Sequence, residues 1–233
     1  MLYSRQSVRE NIRNRDGKRV FYLGKGDQLT SDAREYLTRE RIEILPAEKA
    51  KPERYKLLNG GYLEEKPEHM THLNAQVLVE KTHPRIRFRG KIDSLEAELL
   101  LCIGLAEGEQ AEHLTEILDF VRLLIRCDVL EETVAQETLC GLTMDQLRSR
   151  SHRPQDYYGQ PHFMPSGQDS KLLLQVNRAR CMAREAELAA VAAFADRDGN
   201  PTREDILQAM NRMSSMLWIL MIRMKKELEN HEQ

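Results

Sequence analysis

The sequence predicts a mainly α-helical protein, built as a five-helix, mostly antiparallel bundle with a small N-terminal α/β appendage. Apolar residues recur at helical spacing over long stretches after Asp93, and mostly short links separate these stretches. Aromatic residues make up only 6% of the chain, whereas methionine occurs 10 times, which is typical of helices packed through Leu, Ala and Met. We therefore predict a module and linker over residues 1–64 and a helical bundle over residues 65–233.

The appendage is predicted from two short strands that flank a helix. The run KRVFYL, Lys18–Leu23, and residues 42–45 are rich in β-branched and other large apolar residues, and Gly or Pro follows each run. Residues 29–39 have helical character, with Thr30 or Ser31 as the N-cap. This order predicts a strand, a helix and a second strand.

The bundle is predicted from five helical segments. Residues 46–92 carry repeated Pro and Gly and are predicted to be loop with at most one short strand, so that the first helix begins at Asp93. The third helix is predicted to be interrupted near Gly141, and residues 150–168 form a loop with three prolines and two glycines. The five segments are residues 93–106, 109–130, 131–148, 169–196 and 201–230.

Composition limits the classes of function. Lys plus Arg number 35 and Asp plus Glu number 37, so the formal charge of -2 gives no general attraction to nucleic acid or to an acidic membrane. The first residues contain no apolar leader-like run. The longest apolar run, residues 217–222, is far shorter than the roughly 20 residues that cross a bilayer. We expect a soluble, cytoplasmic protein that binds neither nucleic acid nor membrane.

The cysteines and histidines do not predict a metal site. The cysteines lie in apolar helical patterns without a C-x-x-C pair, so we expect core thiols in a reducing compartment. They are Cys102, Cys127, Cys140 and Cys181. His69, His72 and His83 have no thiolate nearby, and zinc requires three or four converging ligands. Glu80-x-x-His83 is the chain's only E-x-x-H match, whereas a di-iron bundle requires two, so a di-metal bundle is the least favoured function.

Arg180, Arg184 and Glu187 are spaced to share one stripe of the fourth predicted helix. By spacing alone, a solvated stripe of ion pairs is the favoured interpretation. The alternative is an anion cradle, in which a carboxylate holds two permanently charged guanidinium groups beside a phosphate. The adjacent face is predicted to pack closely. It consists of Val176, Ala179, Ala183, Ala186 and Ala190.

Asn211 and a basic run before Asp93 are further candidates. Asn211 lies at the edge of a Met and Leu stripe that is normally core, and a buried amide there requires a hydrogen-bond partner or a ligand. The basic run normally indicates a solvated strand or loop, and the alternative is a phosphate-binding entry to a helix. Asp93 would then either cap this helix or pair with an arginine. Considered without the other residues, the helix cap is the favoured interpretation. The run consists of Lys81, Arg85, Arg87, Arg89 and Lys91.

Four motifs in order resemble one known family. EKTHPRIRFRGKIDSLEAEL resembles the segment with a Lys, a Pro-Arg pair, a Gly and an Asp-x-Leu that opens the bundle of ATP:cob(I)alamin adenosyltransferases of the propanediol-utilisation type. RARCMAREAE is similar to the arginine helix of that family, and NRMSSMLWIL to its Asn-Arg-x-Ser motif. KPEHMTHL, together with the appendage, resembles the ethanolamine-utilisation branch. The resemblance covers residues 65–233 and, more weakly, residues 24–45.

The resemblance implies a cobalamin adenosyltransferase-like bundle that transfers the 5'-deoxyadenosyl group of ATP to a Co(I) corrinoid in ethanolamine catabolism. The reaction forms adenosylcobalamin and releases triphosphate. Co(I) is the nucleophile and C5' of ATP the electrophile, so a Ser or Cys nucleophile is not required. ATP and cobalamin, or another corrinoid, are then the substrates, with magnesium on the ATP phosphates. The alternative is a non-catalytic bundle that binds nucleotide or docks to a corrinoid enzyme.

The resemblance also implies roles for individual residues. Asp93 would pair with Arg180 across a subunit boundary, and residues 71–91 would form a lid over the phosphates. The implied catalytic residues are Arg180, Arg184, Asp93 and Asn211. The implied ATP-binding residues are Thr71, His72, Lys81, Arg85, Arg184, Glu187 and Asn211. The implied corrinoid-facing residues are Phe163, with His162 as the alternative, and Met164.

The chain departs from the family pattern in three places. Residues 68–71 stand where the family has a glycine-rich loop, and Ser215 replaces an aspartate. YKLLNGGYLEE occupies the position of the Cys-Cys-x-x-Cys metal motif of some ethanolamine-branch members, so we predict no Cys or His metal centre. The family implies a homotrimer with sites between subunits, a dimer being the alternative. It further implies an ammonia-lyase or reductase partner and association with a bacterial microcompartment.

Overall fold

A computed structural model describes residues 1–15, 17–47 and 55–231 of the chain. The chain divides into two compact units, Met1–His83 and Pro84–Gln233. Residues 65–83, predicted to be part of the bundle, belong by their contacts to the first unit. None of the helices in the described residues combines the length and the hydrophobicity that a membrane-spanning helix requires.

The first unit is a mixed sheet with two short helices. Its elements are β1 (Leu2–Tyr3), α1 (Arg5–Glu10), β2 (Arg13–Arg15), β3 (Lys18–Leu23), β4 (Gln28–Leu29), α2 (Ser31–Arg39), β5 (Glu43–Pro46), β6 (Tyr55–Leu57), β7 (Tyr62–Leu63), β8 (Met70–His72) and β9 (Val77–Glu80). Among the described residues, seven strands form one sheet in the order β5-β3-β2-β7-β6-β9-β8, and β1 pairs separately with β4. The β3–β5, β2–β7 and β6–β9 pairs are parallel, and the other pairs of this sheet are antiparallel.

The predicted strand, helix and strand of the appendage are confirmed as β3, α2 and β5. Thr30 is the N-cap of α2, because its hydroxyl accepts a hydrogen bond from the Ala33 backbone at 3.2 Å. The helix connects two parallel strands and buries Leu37 in the cluster that contains Phe21. This is the right kind of connection for a parallel pair, which cannot be joined by a tight turn.

The prediction of loop with at most one short strand over residues 46–92 is wrong, because the described part of this segment contains four strands; residues 48–54 lie outside the described residues. Strands β6 to β9 lie in this segment. Each of these strands has only two to four residues, too few for an alternating pattern to stand out. Neighbouring strands, rather than local sequence, hold these residues in the sheet.

The second unit is the predicted helical bundle. Its elements are α3 (Pro84–Ile103), α4 (Gly108–Leu130), β10 (Thr138–Leu139), β11 (Leu142–Thr143), α5 (Met144–His152), α6 (Pro154–Tyr158), α7 (Lys171–Ala193) and α8 (Glu204–His231). In the described residues, four long helices form a ring in which α3 contacts α4 and α7, and α8 contacts the same two helices. Contacts of Lys91 with Glu185 and of Glu98 with Gln175 show that α3 and α7 are antiparallel. The predicted alanine face of α7 is fully buried in the shared core.

The first helix of the bundle begins at Pro84 rather than at Asp93, so the predicted start is wrong. Proline is tolerated in the first turn of a helix, where its missing N–H has no intrahelical acceptor. Asp93 consequently lies in the middle of α3, where it is exposed and cannot act as an N-cap. The basic run after Pro84 is helical, which also excludes an irregular lid over residues 84–91.

The third predicted helix is largely wrong. Strands β10 and β11 form a hairpin, and only α5 beyond it is helical. Cys140 and Gly141 form the turn with φ values of 50° and 72°, a left-handed pair typical of tight hairpin turns. Thr143 and Gln146 then form a capping box at the start of α5. The fifth predicted helix begins at Glu204, three residues after Pro201.

The prediction of four core thiols is confirmed for Cys102, Cys127 and Cys140, which are buried, and is wrong for Cys181, which is exposed. Burial raises the pKa of the Cys102 and Cys140 thiols to about 12. Cys181 lies on the outer face of α7, because the neighbouring Ala179 and Ala183 occupy the buried face. Periodicity alone did not reveal which face a residue at the edge of the stripe would take.

Candidate active site

Arg180 is the centre of a cationic and aromatic cluster between α7 and α8. Its guanidinium carbon lies 5.2 Å from the ring centroid of Trp218, within range of a cation–π contact. Burial, followed by the like charge of Arg184, lowers the pKa of Arg180, although a guanidinium group remains charged at neutral pH. Its Nε is buried and has no hydrogen-bond acceptor among the described residues. The cluster thus holds a partly desolvated cation with unused donor capacity.

Phe163 is stacked on Trp218, with ring centroids 5.3 Å apart and an interplanar angle of 20°. His162 also stacks on Trp218 at 5.8 Å, and the indole Nε1 donates a hydrogen bond to its Nδ1 at 3.2 Å. His162 Nε2 then carries the proton and lies 3.2 Å from the carbonyl oxygen of His152. Both residues named as alternatives in the sequence analysis therefore contact the same indole ring.

The loop that carries Phe163 is anchored below the aromatic stack. Asp169 accepts a hydrogen bond from the Ser166 backbone at 2.7 Å and one from Lys225 Nζ at 2.8 Å. These donors, Lys225 first, lower the pKa of the buried Asp169 carboxyl. Lys225 also lies 5.9 Å from the Phe163 ring. Phe163 is half-buried, whereas Met164 is 89% exposed, so the loop presents an apolar side chain to solvent.

Glu187, Asn211 and Arg212 form a hydrogen-bonded chain one to two turns from the aromatic cluster. Asn211 Nδ2 donates to Glu187 Oε1 at 2.9 Å, and Arg212 Nη1 donates to Asn211 Oδ1 at 2.6 Å. Arg212 is only 7% exposed, and its pKa is lowered by burial and by the charge of Arg148. The hydrogen-bond partners that the sequence required for Asn211 are thus the carboxylate of Glu187 on one side and the buried guanidinium group of Arg212 on the other.

Arg184 and Asp93 are exposed residues on α7 and α3. In the described part of the chain, neither side chain has a hydrogen bond or an ion pair within the second unit. Arg184 lies one turn beyond Arg180 on the same helix. The pairing of Asp93 with Arg180 across a subunit boundary stays a prediction, since a single chain is described.

Three of the predicted ATP-binding residues lie in the first unit. Thr71 is half-buried and His72 exposed on strand β8, and His72 makes an edge contact with Tyr55 at 5.8 Å. Lys81 is exposed directly after β9, and its backbone N–H donates to the carbonyl oxygen of His69 at 2.9 Å. The β8–β9 hairpin therefore brings Thr71, His72 and Lys81 into one segment.

Arg85 is engaged inside the second unit rather than displayed to solvent. Its Nε donates to Asp128 Oδ1 at 2.8 Å, and Arg89 Nε donates to the other carboxylate oxygen at 2.6 Å. Asp128 is fully buried on α4. The i, i+4 spacing of the two arginines, which looked like a solvated basic run, instead clamps α3 to α4.

Comparisons with known proteins show the family to which the chain belongs. The family described as Cobalamin adenosyltransferase matches residues 61–224. The chain belongs to the cobalamin adenosyltransferase family. The corrinoid adenosyltransferase EutT of Salmonella typhimurium is 36% identical over 158 residues, which are 67% of this chain and 59% of that protein. EutT of Escherichia coli K12 is 35% identical over the same shares. The chain thus spans 59% of the length of these curated relatives.

Solved structures support the same family fold. Two variants of a PduO-type ATP:corrinoid adenosyltransferase from Lactobacillus reuteri, complexed with cobalamin and ATP, each superpose with a TM-score of 0.50. They are 18% and 20% identical, and the matches cover 70% of this chain and 91% and 89% of theirs. At this identity the likeness shows the fold of the adenosyltransferase family alone.

Trp218 and Arg212 are the contacts that motif reasoning did not assign to the site. Trp218 is the only tryptophan of the chain and lies seven residues after Asn211, which places both on one face of a helix. That spacing was available in the sequence. The burial of Arg212 was not, because its position beside a stripe of Met and Leu does not reveal whether α5 covers it.

Proposed function

We propose that this protein is an ATP-dependent corrinoid adenosyltransferase that acts in ethanolamine catabolism. It transfers the 5'-deoxyadenosyl group of ATP to a Co(I) corrinoid, with adenosylcobalamin and triphosphate as products. The observation that carries the proposal is that the aromatic and cationic cluster at Trp218 and Arg180 lies on the same two helices as the hydrogen-bonded cluster of Glu187, Asn211 and Arg212. Along α8 the two clusters are separated by about 10 Å, given seven residues and a helical rise of about 1.5 Å per residue.

The aromatic end suits the corrinoid. Phe163, supported by Trp218, and the exposed Met164 offer apolar surface to the lower corrin face. Such a surface excludes water and the nucleotide-tail base from cobalt, which makes the Co(II) precursor easier to reduce. Co(I) then supplies both electrons of the new bond to C5', and the C5'–O bond breaks with its electron pair on triphosphate.

The cationic end suits the leaving triphosphate. Arg184 donates from a fork of N–H groups, and Arg180 adds a positive charge that is partly shielded from water. Asn211 supplies an amide N–H. The family resemblance also implies a phosphate-binding role for Thr71, His72 and Lys81 of the β8–β9 hairpin. Catalysis here requires in-line positioning and charge neutralisation rather than a general base. Arg85 contributes less directly, through the ion pair that holds the first turns of α3.

Magnesium would be bound with the ATP phosphates. Mg²⁺ takes oxygen ligands and usually keeps several waters, with one or two carboxylates at most. Glu187 is the carboxylate beside Asn211 and fits that role directly or through water. When bound, the ion neutralises phosphate charge. The chain's own residues orient the nucleotide.

We assign the transferase function to residues 65–233. The family match begins at residue 61 and so includes the β8–β9 hairpin. Asp93, exposed and with no protein partner in the described part of its unit, is suited to reach Arg180 of another copy. We therefore propose a homotrimer with sites between subunits, a dimer being the alternative. An ammonia-lyase or reductase partner and a microcompartment association are also part of the proposal.

The test is a spectrophotometric assay with ATP, magnesium and Co(I) corrinoid. Arg184→Ala and Asp93→Asn should each lower kcat/KM by about 10- to 100-fold, because each removes a charged hydrogen bond at the leaving group or at its supporting arginine. Arg122→Ala is the matched control, since Arg122 is an exposed arginine on α4 whose partner is the surface residue Glu96 and not a residue of the proposed site. Its kcat/KM should stay within twofold of wild type.

The outcomes separate the two classes of function. If the wild-type protein binds ATP but leaves the Co(I) spectrum unchanged, the non-catalytic binding bundle is correct. If the wild type turns over but both variants match it, the enzyme assignment stands and the residue assignments fall.

A further inference from the structure

Asn211 is hydrogen-bonded on both sides of its amide group. Arg212 Nη1 donates to Oδ1 at 2.6 Å, and Nδ2 donates to Glu187 Oε1 at 2.9 Å. A reversed amide would place the NH2 group against the guanidinium donors and the carbonyl oxygen against the carboxylate. Both contacts would then be repulsive, because donor faces donor and acceptor faces acceptor. The two neighbours therefore allow one orientation of the amide.

The direction of the amide decides which ligand it can bind. A phosphate oxygen accepts hydrogen bonds and offers no proton at neutral pH, so only the Nδ2 side of Asn211 is useful to a nucleotide phosphate. One N–H of Nδ2 is used by Glu187. The second N–H remains available, and Asn211 itself is exposed. A correctly oriented amide can therefore serve Glu187 and a phosphate together.

No ion pair among the described residues compensates for the burial of the Arg212 guanidinium group. The side chain is 7% exposed, and its Nε is buried with no acceptor among the described residues. In the same residues no carboxylate lies within ion-pair distance of its guanidinium group, although Asp145 and Glu187 attract it at longer range, and its one hydrogen bond goes to Asn211. A buried cation without a carboxylate partner is costly, and a well-packed apolar replacement is often neutral or stabilising.

We propose that Arg212 is a positioning residue that acts through Asn211, holding the amide so that its N–H points at the phosphate chain of the bound nucleotide. This inference rests on the proposed function only in taking ATP as the ligand of Asn211. Arg212 does not touch the nucleotide itself. The same series of hydrogen bonds explains why the half-buried carboxylate of Glu187 lies beside a phosphate-binding amide. Glu187 accepts one N–H of Asn211 and thereby orients the second N–H toward the phosphate.

The experiment measures the Kd for magnesium-ATP by calorimetry, without corrinoid, together with the KM for each substrate. Arg212→Met keeps the length of the side chain and removes the donor, and it should weaken ATP binding about tenfold, the effect expected of one charged hydrogen bond. The KM for corrinoid should stay unchanged. Arg212→Lys retains a charged donor and should recover most of the ATP affinity.

A double-mutant cycle with Asn211→Ala separates positioning from structure. If Arg212 acts through Asn211, Arg212→Met should weaken ATP binding no more than twofold further in the Asn211→Ala background. The melting temperature of the single variant Arg212→Met should equal or exceed that of wild type. A full tenfold effect in that background, or a lower melting temperature with both substrates weakened equally, would overturn the inference.

The same data distinguish this inference from the proposed function. A wild type that binds ATP but does not alkylate Co(I) refutes the transferase and leaves the cycle on ATP affinity valid. A wild type that binds no ATP refutes both.

Discussion

Replacing Asp128 should destabilise the helical unit more than any surface change on the same helix. The carboxylate is fully buried and accepts charged hydrogen bonds from Arg85 at 2.8 Å and Arg89 at 2.6 Å. The two arginine side chains are only 17% and 16% exposed, so water cannot fully solvate them if the carboxylate is lost. Asp128→Ala should therefore cost about 3–5 kcal/mol, the range found when one partner of a buried ion pair is removed.

That loss is large relative to the roughly 5–15 kcal/mol that stabilises an ordinary domain. Asp128→Asn keeps one acceptor for an arginine N–H and should cost less, about 1–3 kcal/mol. Urea unfolding followed by tryptophan fluorescence is the assay. The chain has 1 tryptophan, Trp218 on α8, so the signal reports on the helical unit.

Asp119→Asn is the matched control, because Asp119 lies on the same helix, is 70% exposed and is 3.9 Å from Arg122. It should change the free energy of unfolding by less than about 0.5 kcal/mol. Should Asp128→Ala unfold within about 1 kcal/mol of wild type, the buried clamp would not stabilise the bundle and the reasoning about α3 would fail.

Two further predictions concern α8. Arg203 holds Asp205 through two hydrogen bonds and lowers its pKa from 3.8 to about 2; Asp205→Asn should cost about 2 kcal/mol at pH 7. Because the pKa of Asp205 is depressed in the folded state, its contribution to the free energy of unfolding is complete above pH 4 and is lost as the pH falls through 2. A difference in urea midpoint between wild type and Asp205→Asn that does not change with pH would contradict this prediction. Trp218→Ala removes the support of both Phe163 and Arg180 and should lower kcat/KM about tenfold for ATP and corrinoid alike, whereas Trp218→Phe should stay within about threefold. Equal kinetics of Trp218→Ala and wild type would show that the stack does not position either residue.

The long helices of the bundle were predictable because their apolar periodicity is repeated over many turns. The alanine face of α7 illustrates this: Ala179, Ala183 and Ala186 recur at helical spacing and are fully buried. The candidate site was predictable in outline for a different reason. Arg180, Arg184 and Asn211 stand in motifs whose order resembles one family, and two of the three lie one turn apart on a helix.

The short elements were not predictable. Strand β8 has three residues, and β10 and β11 two each, so their hydrogen bonds to neighbouring strands decide the conformation. Pro84 led to the prediction of loop where the structure has helix. Proline breaks a helix in its interior but is favourable as its first residue. The hairpin at Cys140 interrupts a helical pattern because two consecutive residues adopt positive φ values, which apolar periodicity does not report.

By itself the sequence determined the class of the fold, the order of an N-terminal α/β module followed by a helical bundle, and the residue types at the candidate site. Those properties depend on local spacing and on motif order. Only the tertiary structure decided that Arg85 and Arg89 converge on a buried Asp128, and that Arg212 bonds to Asn211. Burial and hydrogen bonding between distant segments depend on which helices become neighbours, and linear spacing contains no record of that choice.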